Sequence, residues 1–287
     1  MKLAYYPGCS SQSTCLELGA SMAQVAPRLG LDLIALESAS CTGSREIRAA
    51  NRDLFLALNA RILAQAGALA LPLMTVCNTC TLNLLDTRKA LAEDSETRSR
   101  IGDVLGELGL VYRPEVEIDH FLWVLLERVG AGRLRELIVR PLSGLKVAAF
   151  YGCHLIRPQH HYGFADAREA HMIEDLADIL GCESIDYIGR TECCGFHTSA
   201  ESEKVAVGLA GRYVRSASEC GAHTLVTPCP LCHTVLDAFQ GQMSEQLKTN
   251  LDLPVLHLPQ LVGLALGLKP ADLELSRHAV AVELGID

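Results

Sequence analysis

The sequence has no hydrophobic run long enough to cross a bilayer. Its longest apolar stretches, residues 66–77 and 261–266, fall well short of a membrane helix and have Gly and Pro nearby, so no membrane span is expected. It has no basic stripe: 25 Lys and Arg stand against 34 Asp and Glu, interspersed, for a formal charge of −9. Nucleic-acid binders carry a basic face, and nucleic acid is excluded as a partner. There is no low-complexity tract. The amino terminus, MKLAYYPGCS, lacks the apolar core and cleavage site of a secretory signal, so the expected compartment is the cytoplasm. A nucleotide fingerprint is also missing. Gly130-Ala131-Gly132 would open one, but Arg135 stands where the third glycine is needed.

What the chain does have is core-forming material and thiols. About half of its 287 residues are apolar, which excludes disorder and is comfortable for two domains. It carries 12 cysteines. In a long chain with no export signal, these point to metal binding or redox chemistry rather than a disulfide scaffold.

The cysteines repeat. Cys77-Asn78-Thr79-Cys80 and Cys229-Pro230-Leu231-Cys232 lie 152 residues apart, as do Cys41 and Cys193, and Gly43 and Gly195. Cys9 is matched by Cys153, each preceded by Gly. Such a fixed offset marks an internal repeat. Strands are expected over 2–7, 31–36 and 71–76 in the first half, and over 146–151, 184–188 and 223–227 in the second. Helical faces are expected from Ile47, Leu54, Leu58 and Ile62, from Ile101, Val104, Leu105 and Leu108, and from Met172, Ile173, Leu176, Ile179 and Leu180. Residues 122–126, with Trp123, are expected to form a buried helix. The fold class is therefore α/β, with two pseudo-symmetric repeats. Each is a small, mostly parallel sheet flanked by helices, joined near Arg140–Gly144 into domains 1–144 and 145–287. Each cysteine motif follows a strand, so all are expected at the carboxyl edge of a sheet, where such sheets bind ligands.

Five thiols form the C-terminal set: Cys153, Cys193, Cys194, Cys229 and Cys232. They exceed the needs of one tetrahedral zinc and suit an iron–sulfur cluster better. The vicinal Cys193-Cys194 pair suits a distorted cluster or a bridging thiolate. The N-terminal set is Cys9, Cys41, Cys77 and Cys80, with Thr42 where the other half has Cys194. Four thiols suffice for an ordinary cluster or for zinc. Cys15 is left outside the set because the second half has no matching thiol. Cys182 and Cys220 are expected to be inert core thiols. His160 and His161 are read as loop residues without a role, and His197 as a neighbour that tunes the cluster. Arg157 and Arg190 are equally read as contacts for an anionic substrate or as surface charges.

The succession of one cysteine, Cys-Cys-Gly and CxxC, twice over, resembles the CCG-domain family and in particular the B subunit of heterodisulfide reductase. The carrying residues are Tyr151-Gly152-Cys153-His154, Cys193-Cys194-Gly195, Thr227–His233 and the tail Val255-Leu256-His257 to Gln260–Gly263. The resemblance implies a non-cubane [4Fe-4S] cluster on each CCG motif, with disulfide cleavage between them by one-electron steps. It implies a catalytic place for Cys193 and Cys194, with His154 as proton donor. It also implies electron supply from a C-like iron–sulfur subunit and an A-like flavoprotein. A bacterial sulfur-oxidising branch acts on sulfur carried by a lipoate-binding protein, and other relatives serve dehydrogenases as electron-transfer subunits. Cys41-Thr42-Gly43 departs from the pattern, since threonine is no bridging thiolate. The expectation is a non-cubane cluster in the C-terminal half and a second iron–sulfur cluster, or zinc, in the N-terminal half.

Overall fold

The structure, a computed structural model, describes residues 1–163 and 166–285. Its first half runs β1 (Lys2–Tyr6), α1 (Leu16–Arg28), β2 (Asp32–Ala35), α2 (Glu46–Ala50), α3 (Arg52–Ala68), β3 (Leu73–Thr75), α4 (Asn78–Glu93), α5 (Ser95–Glu107) and β4 (Ile118–His120). A short α6 (Phe121–Trp123), a π-helical turn (Val124–Gly130) and α7 (Ala131–Leu137) lead to the second half. There follow β5 (Lys146–Ala149), α8 (Met172–Leu180), β6 (Glu183–Ile185), α9 (Phe196–Ser199), α10 (Glu203–Glu219), β7 (Thr224–Thr227), α11 (Pro230–Ala238), α12 (Gln240–Leu247), β8 (Val255–His257) and α13 (Leu258–Ala265).

The two sheets have one topology. Strand orders are β2-β1-β3-β4 and β6-β5-β7-β8, and every pair is parallel. Parallel pairing requires helical crossovers, which cover both faces. Alternation along β1 shows the result: Leu3 and Tyr5 enter one core, Ala4 and Tyr6 the other. Along β5, Val147 and Ala149 join the first core and Ala148 the second. Each core therefore draws on both halves, and the repeats are fused through a shared interior. No helix among the described residues is long and apolar enough to cross a membrane.

Three local expectations need correction. The face drawn from Ile47, Leu54, Leu58 and Ile62 belongs to two helices. Asn51 is extended and its side chain caps α3 by accepting from Leu54 N, while Leu54 itself is exposed. An N-cap asparagine satisfies a helix end and so breaks a continuous helix there. Along α5 and its carboxyl cap, Ile101 and Leu105 are buried but Val104 and the cap residue Leu108 are exposed. Each sheet also has a fourth strand, β4 or β8, beyond the three expected.

Candidate iron–sulfur site

All nine predicted cysteines stand at the carboxyl edges of the sheets. Cys9 and Cys41 follow β1 and β2, and Cys153 and Cys193 follow β5 and β6. Cys77 and Cys229 are the extended N-cap residues of α4 and α11, which puts Cys80 and Cys232 in the first turn of each helix. Pro230 at the first position of α11 suits a helix start. Both CxxC pairs thus lie at helix N-termini, whose partial positive charge favours thiolates.

The Cys-x-Gly turns are superimposable in kind. Gly43 N donates to Cys41 Sγ at 3.4 Å, and Gly195 N donates to Cys193 Sγ at 3.4 Å. Both glycines have positive φ, +85° and +82°. Gly152 is fixed for two reasons: its φ is +66°, and a Cβ there would lie 2.8 Å from Cys232 Sγ. The first half is looser, since a Cβ on Gly8 would lie 3.7 Å from Cys80 Sγ.

Within the C-terminal set the thiols adjoin in a chain, each shifting its neighbour's pKa. Cys153 meets Cys193, Cys193 meets Cys194, Cys194 meets Cys232 and Cys232 meets Cys229. The neighbouring Cys153 and Cys194 thiols pull the Cys193 pKa well down. In the N-terminal set, Cys9 and Cys41 sulfurs are 3.7 Å apart, and the contact with Cys41 lowers Cys9 to about 6. Thr42 is buried, at 1% exposure, and its hydroxyl donates to Cys80 Sγ at 3.6 Å. It thus faces Cys80 as Cys194 faces Cys232. Asn83 Nδ2 donates to the Thr42 hydroxyl and Asn59 Nδ2 to its carbonyl, at 3.3 and 2.9 Å.

Thiols packed this closely cannot all ionise without strong repulsion. A polynuclear cationic core would relieve that repulsion, so the donor set fits an iron–sulfur cluster.

The two sets adjoin. The C-terminal thiols line a tight cavity of about 20 Å³ with His154 and His197, and the N-terminal thiols line an open one of about 340 Å³. Thr79, Phe196 and Leu231 line both. Cys77 and Cys229, one from each half, are close enough for each to shift the other's pKa. Thr79 Oγ1 is 2.9 Å from His154 Nδ1. Burial lowers the His154 pKa, so the ring is neutral at pH 7. His197 Nδ1 is 3.0 Å from Glu46 Oε1, across the halves.

The model of the CCG cysteine-rich domain matches residues 3–85 and 147–237. The chain belongs to the CCG cysteine-rich family. Over 285 residues, 99% of each chain, it is 36% identical to the membrane anchor subunit of 8-methylmenaquinol:fumarate reductase from Wolinella succinogenes. Over 97% of its length and 94% of the relative, it is 30% identical to the B subunit of ferredoxin:CoB-CoM heterodisulfide reductase from Methanosarcina mazei. It is a protein of the heterodisulfide reductase B-subunit type, and CCG membership implies iron–sulfur clusters. A solved hypothetical protein from Helicobacter pylori superimposes with a TM-score of 0.78 at 18% identity, over 98% of this chain. The chain spans 52% of that protein, and the likeness shows the fold alone.

Other residues fall differently from expectation. Cys220 is exposed rather than in the core, and Cys182 is only half-buried. Arg157 is engaged with the Thr191 carbonyl, and Arg190 with Glu174 and the Ala170 and Arg168 carbonyls. Both arginines hold the loops of the second half. His161 is tied to Asp86 of α4 at 2.7 Å, while His160 is exposed. Sequence reasoning missed His120. Buried at the end of β4, it accepts from Leu122 N at Nδ1 and donates from Nε2 to the Pro228 carbonyl beside Cys229. Its place matches that of His257 at the end of β8. A histidine ending a strand in both halves was the available signal.

Proposed function

We propose that this chain is the iron–sulfur redox subunit of a heterodisulfide reductase-like complex, with 1–144 and 145–287 as its two cysteine-bearing units. Cys153, Cys193, Cys194, Cys229 and Cys232 would hold a non-cubane [4Fe-4S] cluster. Cys9, Cys41, Cys77 and Cys80 would hold a second cluster, or zinc. The observation that carries this asymmetry is Thr42, whose hydroxyl faces Cys80 where Cys194 faces Cys232.

When bound, the C-terminal cluster supplies one-electron chemistry at sulfur, for cleaving or forming a sulfur–sulfur bond. The chain's own residues position the reactants. The Thr79 hydroxyl can donate to Nδ1, an arrangement that would place the His154 proton on Nε2, where it could pass to a departing thiolate. Thr79, Phe196 and Leu231 form the wall that a substrate would meet between the two sets. The chain has no nucleotide fingerprint, in keeping with electron supply by a C-like iron–sulfur subunit and an A-like flavoprotein. A lipoate-bound sulfur substrate is the sulfur-oxidising version of this reading.

Thr42 also favours a second reading, an electron-transfer subunit that does no bond chemistry. With one five-thiol centre and one four-thiol centre, the chain would serve as a relay. An assembly of the kind named for the Wolinella succinogenes relative is where such a relay would sit.

One experiment separates the two. Thiol and disulfide compounds are added to oxidised protein and the electron paramagnetic resonance signal is followed. A catalytic centre changes its signal, and an unchanged signal leaves the relay.

A further inference from the structure

The two thiol cavities differ in charge as well as in size. His154 and His197 close in on the tight C-terminal one, whereas the open N-terminal one, at about 340 Å³, is of a size that takes a small molecule. Apart from its thiols, the open cavity is lined by the apolar residues Pro7, Phe196, Pro230 and Leu231 and by neutral hydroxyl residues. Among the described residues one charged group lines it, Glu46, and no Lys or Arg does.

We infer that this cavity takes a small uncharged or cationic disulfide and turns anionic ones away, and that Glu46 is the residue that sets this preference. This preference presupposes that the two thiol sets form a site for sulfur–sulfur chemistry, as proposed above.

Glu46 is fixed at both carboxylate oxygens. Oε1 is 3.0 Å from His197 Nδ1 of the other half, and Oε2 accepts from Arg45 N at 3.1 Å. Partial burial acts to raise its pKa, but the hydrogen bond with His197 outweighs it, and the carboxyl is held at about 2. The group is therefore a standing negative charge at neutral pH. Because His197 lines the tight cavity, this charge stands beside both thiol sets.

The cations that could offset it are engaged or lie elsewhere. Arg157 and Arg190 hold loop carbonyls of the second half. Arg48 pairs with Asp86. Arg45 is exposed and lines neither cavity. An anion that enters gives up its hydration, finds no cation on the wall and meets Glu46. A neutral chain buries apolar surface against Phe196 and Leu231 without that cost, and a cation gains from the carboxylate.

The test uses the full chain, purified anaerobically with its iron and then oxidised. Three disulfides of similar length are titrated in at low ionic strength: cystamine as the dication, 2-hydroxyethyl disulfide as the neutral probe and dithiodiglycolate as the dianion. The concentration that half-converts the electron paramagnetic resonance signal is read for each and divided by that of the neutral probe. The dication should act at or below the neutral probe's concentration, and the dianion should need about tenfold more. Glu46→Gln should shrink the spread between dianion and dication by about fivefold. Asp32→Asn, at the start of β2 on the opposite edge of the sheet, should leave the spread as it is. Taking ratios cancels any general loss caused by freeing His197. A dianion as effective as the neutral probe would overturn the preference and point to Arg45 instead. An unchanged spread in Glu46→Gln, or the same change in Asp32→Asn, would overturn the role of Glu46. No response to any of the three would remove the sulfur–sulfur reading itself and the preference with it. The order on the unmodified protein decides the preference even if the variant fails to fold.

Discussion

The Thr42 hydroxyl donates to Cys80 Sγ at 3.6 Å, in the position where the second half has the Cys194–Cys232 contact. Threonine keeps the size and the hydrogen bond of that position but not its thiolate. Asn59 and Asn83 hold it from behind, so the substitution is built into the surrounding core rather than tolerated at a surface. Replacing Thr42 with Cys restores a fifth thiol against Cys80. The expected outcome is a changed electron paramagnetic resonance spectrum from the N-terminal centre and an unchanged C-terminal one. Identical spectra would mean that the fifth thiol does not set the cluster type.

Cys194→Ala removes the buried member of the vicinal pair. Wild-type protein should hold about eight irons per chain if both sets carry four-iron clusters, and about four if one does. The variant should lose iron from the C-terminal set and keep whatever the N-terminal set holds. An anaerobic iron and sulfide count on both proteins checks this.

Gly152→Ala combines two penalties, a positive φ and a Cβ at 2.8 Å from Cys232 Sγ. Gly144→Ala meets the φ penalty alone, since nothing lies within 4 Å of the new methyl. The control should cost about 1 kcal/mol. The Gly152 variant should cost about 1–3 kcal/mol more and lower the iron occupancy of the C-terminal set. Denaturant titration gives the first quantity and an iron count the second. Equal losses would show that the backbone, not the approach to sulfur, dictates glycine.

Burial lowers the pKa of His120 from its ordinary value to about 4. The folded protein therefore keeps this ring neutral while the unfolded chain takes up a proton near pH 6.5. Stability should fall as pH drops from about 6.5 towards 4, by an amount of order 3 kcal/mol from this residue. His120→Gln should be less stable at pH 7, because the bond to the Pro228 carbonyl is disturbed. Its further loss between pH 7 and pH 5 should be smaller than wild type's. Denaturation curves at the two pH values, compared between the proteins, test the sign.

Much of the site was legible because it is local. Each motif cysteine follows a strand that apolar β-formers announce, and the 152-residue offset exposes the repeat. What stayed hidden depends on tertiary contact. Strands β4 and β8 have three residues each, too few for alternation to register. Helix α3 begins at an Asn51 cap that resembles any polar residue inside an amphipathic run. Cys220, expected in the core, caps the carboxyl end of α10 and is exposed. The Cys77–Cys229 contact, the His120 bond to Pro228 and the Glu46–His197 contact join residues more than a hundred positions apart. No local pattern encodes them.

The wall between the two thiol sets is built from Thr79 of one repeat and Leu231 and Phe196 of the other. A single repeat cut from the chain would therefore lose a side of its own site. The protein behaves as a dimer whose two members share one backbone, so the spacing and ratio of its two centres are fixed at translation. That fusion also frees the halves from identity. A symmetric pair of separate chains would have to carry every residue twice, whereas here one half has the Thr42 hydroxyl and the other the Cys194 thiol.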